Sequence, residues 1–246
     1  MDAREPEFLR RQADRFREAE PERFRWATAA PGFAESEDAL LAPLLADLAS
    51  PCLEMGCGEG NNLARLARRA RCAGIDRFPR KLAFARRALP AVAFAAADAA
   101  ALPFRDGAFA SVLVRDLLHH VARPERVLAE AVRVLARGGR LWILEPNGRN
   151  PLVGLHARLV PAEIGALRSG PAQLRALLAG LPLEAVEIAM RQPLPLRRLL
   201  LHHRFGAPRL GRSRAVRALL SAAESAAGRL LPASRWCYVL LSARRA

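Results

Sequence analysis

Leu53-Glu54-Met55-Gly56-Cys57-Gly58-Glu59-Gly60-Asn61-Asn62 is the stretch on which the reading of this chain turns. The apolar run Cys52-Leu53-Glu54-Met55 predicts a short strand. Glycines follow at 56, 58 and 60, and a helical pattern covers Asn61 to Ala70 with Leu63, Leu66 and Ala67 facing inward. Glycines between a strand and a helix let the backbone turn tightly and let a ligand lie against the main chain. The dinucleotide fingerprint GxGxxG would cradle a pyrophosphate. Here the spacing is GxGxG, and Asn61 stands where the third fingerprint glycine belongs. Glu54 places a carboxylate two residues before the first glycine. That charge repels a pyrophosphate and suits a ligand with a cationic end.

The flanking sequence extends the pattern. Further strands are predicted at Cys72–Ile75, Val92–Ala96, Phe109–Val114 and Arg140–Leu144. Helices are predicted at Arg80–Leu89 and Pro124–Leu135, the latter with proline near its start and Gly138-Gly139 past its end. Strand and helix alternate about every 20 residues, the signature of βαβ units in a parallel sheet. Before this core, Phe8, Leu9 and Phe16 fall at the spacing of an amphipathic helix, with Phe24 and Trp26 beyond. A second helix is expected from Ser36, as its N-cap, to Ala49, with Leu40, Leu41, Leu44, Leu45 and Leu48 inward. After Pro146 the regularity weakens. Pro171–Ala179 and Val216–Leu231 look helical, and Leu183–Met190 and Trp236–Ser242 look like strands.

The acids follow the strands. Asp76 ends the second strand, where a carboxylate can accept from both hydroxyls of a ribose. Asp98 follows the third strand, where it can accept from an adenine amine. Glu54, Asp76 and Asp98 thus offer acids to an amino-acid end, a ribose and a base at three successive strand tips. S-adenosylmethionine carries an ammonium, a sulfonium, a ribose and an adenine, with no phosphate, and matches that order.

With these motifs the sequence resembles the class I S-adenosylmethionine-dependent methyltransferases, in particular the bacterial small-molecule group (type 11). The resemblance covers about residues 40–146. It rests on the ExGxGxG turn at 54–60, Asp76, Asp98, Leu102-Pro103-Phe104-Arg105-Asp106-Gly107-Ala108-Phe109, Leu118-His119-His120-Val121 and Arg133–Leu141. It implies an α/β fold: a doubly wound, mostly parallel, seven-stranded Rossmann-like sheet whose last strand is antiparallel. N-terminal helices (1–50) would cap a cofactor core (51–146). A third section (147–246) would complete the sheet and carry a basic helical lid at about 191–234 and the last strand at 236–242. It implies S-adenosylmethionine as cofactor, bound by Glu54, Gly56, Cys57, Gly58, Gly60, Asn61, Asp76, Arg77, Ala97, Asp98 and Arg115, the last mainly through its backbone.

Methyl transfer is an in-line displacement for which the cofactor supplies the reactivity and the protein the alignment. An oxygen or nitrogen nucleophile can still need a base, and histidine is the usual one. His120 and His119, after the fourth strand, are the candidates, with His120 preferred as base or positioning group. Glu145, at the tip of the fifth strand, is the third, as a group that orients the acceptor or pairs with Arg115. Asp116 reads equally well as a helix cap. His202-His203 lack further ligands, and no metal is expected.

Composition sets the outer bounds. The chain has 246 residues, 52% of them hydrophobic, which excludes general disorder. Its net charge is +15, and arginine supplies every base except Lys81. From Arg191 onward there are 12 arginines and one acid, Glu224, a net of +11, while the first 190 residues carry +4. That section suits an acidic acceptor, a membrane surface or a nucleic acid. Aromatics are only 6%, which provides poorly for stacking on a nucleic-acid strand. Cys52, Cys57, Cys72 and Cys237 have no zinc spacing and read as thiols of a reduced compartment. The charged N-terminus has no signal-peptide pattern, and no apolar run reaches the length of a membrane span, so a cytoplasmic protein is expected. The leading expectation is methylation of a small-molecule or lipid-like acceptor, with membrane-surface contact through the basic region and nucleic acid disfavoured. The alternatives are an RNA or protein methyltransferase using that region, a non-catalytic S-adenosylmethionine-binding protein, and a nicotinamide oxidoreductase.

Overall fold

A computed structural model describes residues 5–246, with the side chains of residues 5, 6, 8 and 9 left out. The expected packing of Phe8 and Leu9, and the residues before Glu5, lie outside the described residues. Helices α1 (Glu5–Phe16), α2 (Pro21–Ala29) and α3 (Phe33–Ala46) lead into β1 (Cys52–Met55). Then come α4 (Leu63–Leu66), β2 (Cys72–Asp76), α5 (Pro79–Ala88), β3 (Ala93–Ala96), β4 (Phe109–Arg115), α6 (Pro124–Val134) and β5 (Leu135–Pro146). The last third holds α7 (Pro151–Leu159), α8 (Pro171–Leu177), β6 (Leu183–Arg191), α9 (Leu196–Leu200), α10 (Arg214–Leu230) and β7 (Tyr238–Arg245).

The seven strands form one sheet in the order β3-β2-β1-β4-β5-β7-β6. β1 to β5 are parallel, and β7 slots between β5 and β6 antiparallel to both. The expected doubly wound sheet with an antiparallel final strand is the one observed. Because side chains alternate along a strand, each strand feeds two layers. Leu53, Met55, Val112, Val114, Leu141, Ile143, Val239 and Leu241 pack with Val127, Leu128 and Ala131 of α6 on one face. Leu113, Trp142, Leu144 and Leu240 pack with Leu40, Leu41 and Leu44 of α3, Leu63 and Leu66 of α4 and Leu82 of α5 on the other. Each buried leucine contributes about 1.5–3 kcal/mol of transfer free energy, so both layers are needed to hold the sheet between helices.

The chain winds outward from β1 to β3, then returns to lay β4 against the other side of β1. The loops after β1 and β4 therefore leave the sheet in opposite directions, which opens a crevice at the strands' carboxyl ends. The 54–60 turn, Asp76, Asp98 and the 118–121 turn follow the carboxyl ends of these strands, whereas the 102–109 and 133–141 segments meet at the amino ends of β4 and β5, where Gly107 N donates to Arg133 O at 3.0 Å.

Several expected boundaries move. α3 starts at Phe33, because Gly32, with φ 84°, turns the chain there, and Ser36 is buried inside the helix rather than capping it. The helix expected over 61–70 is α-helical only at 63–66. Arg68 and Arg69 donate to carbonyls three residues back, the tighter pattern of a fraying end. β5 begins five residues before Arg140, so Gly138-Gly139 lie within the strand, opposite a register shift at Phe109/Ser111. Gly139 has no room for a side chain, since a Cβ would meet the Ala136 carbonyl oxygen at 2.8 Å. β7 runs from Tyr238 to Arg245 rather than from Trp236 to Ser242, paired along its length by β5 and β6.

Candidate active site

The turn after β1 is shaped by Gly56, whose φ is 72°. A Cβ at Gly56 would sit 2.9 Å from Leu117 Cδ1, so the β1 and β4 loops can approach only because this residue is glycine. Asp76, at the tip of β2, holds the turn from the other side. One carboxylate oxygen accepts from Gly58 N at 2.9 Å and the other from Phe78 N at 2.9 Å. Burial pushes the Asp76 carboxyl up, against the opposing effect of those bonds and of Lys81. Lys81 lies over the same turn, with Nζ 3.4 Å from Glu59.

Glu54 is buried in β1, with Oε1 accepting from the Asn62 side chain and Oε2 without a partner. Burial pushes its carboxyl up to about 8; the Asn62 amide and Arg115 pull it down, and the Asp76 charge adds to the rise. A buried, half-satisfied carboxylate beside a positive-φ glycine turn is a site prepared for a cationic donor. Asn62, rather than the neighbouring Asn61, makes this contact. Asn61 instead gives its carbonyl to Arg65 at 3.1 Å.

Asp98 is exposed, and its carboxylate caps its own turn by accepting from Ala100 N at 2.9 Å. Ala97 N donates to Asp76 O at 3.1 Å, which ties the β3 tip to the β2 tip. Arg77 is exposed and lies over the Phe78 ring. Cys57, Gly58 and Gly60 form the turn itself, and Cys57 is a buried free thiol whose pKa burial raises.

Arg115, expected to act mainly through its backbone, also has an engaged side chain. Its guanidinium is buried and gives Nη1 to Asn62 Oδ1 at 2.8 Å and Nη2 to Glu37 at 2.6 Å. Arg198, from the basic section, reaches the same Glu37 at 3.5 Å and shares the Tyr238 ring with Arg115. Glu54, Asn62, Arg115, Glu37 and Arg198 thus make one continuous chain from β1 to the late insertion. Burial works against the Glu37 charge, and the two arginines overcome it and hold its carboxyl below the usual range. Asp116 is no helix cap: it takes a left-handed φ of 48° at the crevice, where backbone strain is commonly stored.

Glu145 does not pair with Arg115. It accepts from Leu117 N at 2.8 Å, Leu118 N at 2.9 Å and His119 Nδ1 at 2.6 Å, and so pins the 118–120 turn. Glu163, from the helical turn at 161–168, faces His119 Nε2 at 3.4 Å and His120 Nε2 at 3.8 Å. Gly165 permits this: a Cβ there would lie 1.9 Å from the His119 carbonyl oxygen. Burial disfavours the His119 imidazolium, but Glu145 and Glu163 reverse that and push it up to about 10. Burial and the neighbouring His119 push His120 down to about 4, so His120 is a neutral acceptor rather than a strong base. Phe16 of α1 covers His120 at 4.8 Å between ring centres.

Sequence reasoning missed Glu37, Asn62, Glu163 and Arg198. Asn62 was within reach of it, as the next residue in the motif. The other three lie on helices or turns remote in sequence, where one acid or arginine among many carries no local signal.

Residues 53–143 match the methyltransferase-domain family. Over those residues the chain's core is similar to a methyltransferase domain. A demethylmenaquinone methyltransferase of Thermus thermophilus is 41% identical over 130 residues, 48% of this chain and 59% of that protein. A trans-aconitate 2-methyltransferase of Methylobacterium nodulans is 39% identical over 125 residues, 47% of each. The chain thus spans about half the length of these curated relatives. A geranyl diphosphate methyltransferase, solved with geranyl diphosphate and sinefungin, shares the fold with a TM-score of 0.69 at 18% identity, over 98% of this chain and 100% of that one. The domain lies within the expected core, and the caps on either side of it fall outside the family match. Among the described residues no helix is long and apolar enough to cross a membrane.

Proposed function

We propose that this chain transfers the methyl group of S-adenosylmethionine to a small-molecule or lipid-like acceptor. The observation that carries the reading is the arrangement of Glu54, Asp76 and Asp98 at three successive strand tips around the 56–60 turn. Glu54 fits the cofactor's ammonium, because its buried Oε2 lacks a partner. Asp76 keeps lone pairs for two ribose hydroxyls beyond its two backbone bonds. Asp98 and Ala97 border the adenine end. When bound, the cofactor supplies a sulfonium-activated methyl group, so the transfer does not call for a metal.

The chain's own residues then align and enclose. Leu117 packs on Gly56 and closes the crevice where the two loops meet. Arg115 and Asn62 fix the Glu54 carboxylate in direction. His119 and His120 hold the acceptor beside the β4 tip, His120 through its unprotonated Nε2, and the buried Glu145 pins the turn that carries them. Phe16 excludes water from above. The section after Arg191 carries an apolar groove of about 480 Å³, lined by Leu199, Phe205 and Leu210 beside the exposed Arg204, Arg209 and Arg212, which suits an apolar, acidic acceptor. Demethylmenaquinone and geranyl diphosphate, named for two of the proteins above, are acceptors with the apolar chain that such a groove would suit. The same leucines and arginines suit contact with a membrane surface.

The alternative of an RNA acceptor is less well supported. Arg197, Arg198, Arg204 and Arg217 pair with Glu224, Glu37, Glu20 and Glu35, so part of the basic section is neutralised within the fold.

The test is calorimetric titration with S-adenosylhomocysteine, with NADH as control. Micromolar binding that weakens about 10- to 150-fold in Asp76→Ala, the worth of hydrogen bonds to a charged group, is expected. A folded protein that binds NADH and not S-adenosylhomocysteine would overturn the reading.

A further inference from the structure

His119, His120 and Glu163 do more than meet. The three ligand-capable atoms, His119 Nε2, His120 Nε2 and a Glu163 carboxylate oxygen, lie within 4.8 Å of one another. Both imidazoles turn their Nε2 toward the carboxylate because their Nδ1 atoms are engaged behind them. His119 Nδ1 is held by Glu145 at 2.6 Å and His120 Nδ1 by the Ala162 carbonyl at 3.2 Å. A carboxylate or carbonyl behind each imidazole is how metal-binding histidines are oriented, since it fixes the ring and aims Nε2 at the site; at His119 the ion would take the place of the Nε2 proton that faces Glu163. The carboxylate stands 3.4 Å and 3.8 Å from the two nitrogens. A tetrahedral ion with bonds of about 2.0–2.1 Å separates its ligands by about 3.4 Å, so small side-chain shifts would close the set.

We propose that His119, His120 and Glu163 bind a divalent transition-metal ion of the zinc type, beside the β4 tip where the acceptor would enter. Two imidazoles and a carboxylate are a borderline donor set, suited to zinc or iron(II) and ill suited to calcium or magnesium. Three protein ligands leave a fourth position for water or for an acceptor hydroxyl or thiol, whose proton the ion would make easier to lose. The site is assembled from both halves of the chain: the histidines follow β4, and Glu163 is delivered by the helical turn at 161–168, which Gly165 lets approach. The ion's role in presenting the acceptor rests on the methyl-transfer reading, but the site itself does not.

The full chain, stripped with chelator, is titrated with cobalt(II) near neutral pH. One equivalent should bind with the visible absorption of a four- or five-coordinate nitrogen–oxygen site, without a thiolate charge-transfer band, and zinc(II) should displace it. His120→Ala and Glu163→Gln should each weaken binding more than about 100-fold, beyond the about 10- to 100-fold expected for the outer partner in Glu145→Gln. A His202→Ala/His203→Ala variant should bind as the parent does. No binding at millimolar cobalt, a thiolate band, or binding that survives both His120→Ala and Glu163→Gln while falling with His202 and His203 would overturn the proposal. Far-UV circular dichroism checks that each variant is folded. S-adenosylhomocysteine titration of the same samples reads the methyltransferase proposal separately, so either can fail without the other.

Discussion

Binding of S-adenosylhomocysteine should expel a proton from Glu54. In the free protein this carboxyl titrates at about 8, because it is buried and faces the Asp76 charge. At pH 7 a group with that value is about 90% protonated. The ligand's ammonium favours the ionised form, so binding near pH 7 should release close to one proton. Between pH 6 and pH 8 the ionised fraction of the free protein rises from about 1% to about 50%. Over that range the ligand stays an ammonium, and its affinity should rise about 50-fold with pH, or about 2.3 kcal/mol. Calorimetry at each pH, repeated in two buffers of different ionisation enthalpy, measures both the affinity and the proton count. Glu54→Gln should bind more weakly at pH 8 and show no pH dependence over the same range. Equal affinity at pH 6 and pH 8 in the parent, with no buffer dependence, would refute the reasoning. It would mean that Glu54 is already ionised or does not meet the ammonium.

Two further outcomes follow from the buried polar chain and the glycine turn. Glu37→Gln leaves Arg115 and Arg198 without their shared carboxylate and should cost about 3–5 kcal/mol in urea unfolding, the usual penalty for breaking a buried pair; a loss below about 1 kcal/mol would show the pair to be solvated. Gly56→Ala must hold φ near 72° and place a Cβ 2.9 Å from Leu117 Cδ1. It should cost about 1–3 kcal/mol of stability and abolish S-adenosylhomocysteine binding, and unchanged binding would mean the ligand does not use this turn.

The basic section illustrates how charge counted along a chain misleads. From Arg191 onward the sequence carries 12 arginines and one acid, which suggested an acidic partner. In the fold, Arg198, Arg204 and Arg217 reach acids on the N-terminal segment: Glu37, Glu20 and Glu35. Trp26 joins the same two sections, donating from Nε1 to the Leu201 carbonyl at 2.7 Å. The N-terminal cap and the late insertion are one charge-matched cover, and the arginines left at its surface are fewer than the count implied.

The sequence by itself determined the central strands and the acids at their carboxyl ends. The short apolar strands β1 to β4 and the glycine exit of β1 are local patterns, and so is the sequence of Glu54, Asp76 and Asp98 at strand tips. Such positions follow from backbone geometry and chain order, which a linear reading can follow. Tertiary structure alone decided the polar partners around the β4 tip. Glu37 joins Arg115 across 78 positions, and Glu163 reaches His119 only because Gly165 lets two turns touch. It also decided that the Arg115 guanidinium serves Glu37 and that Glu145 serves His119 rather than Arg115. The physical reason is that a carboxylate's partner is set by which charge is desolvated beside it. Desolvation arises from packing between segments far apart in the chain, and no periodicity records it.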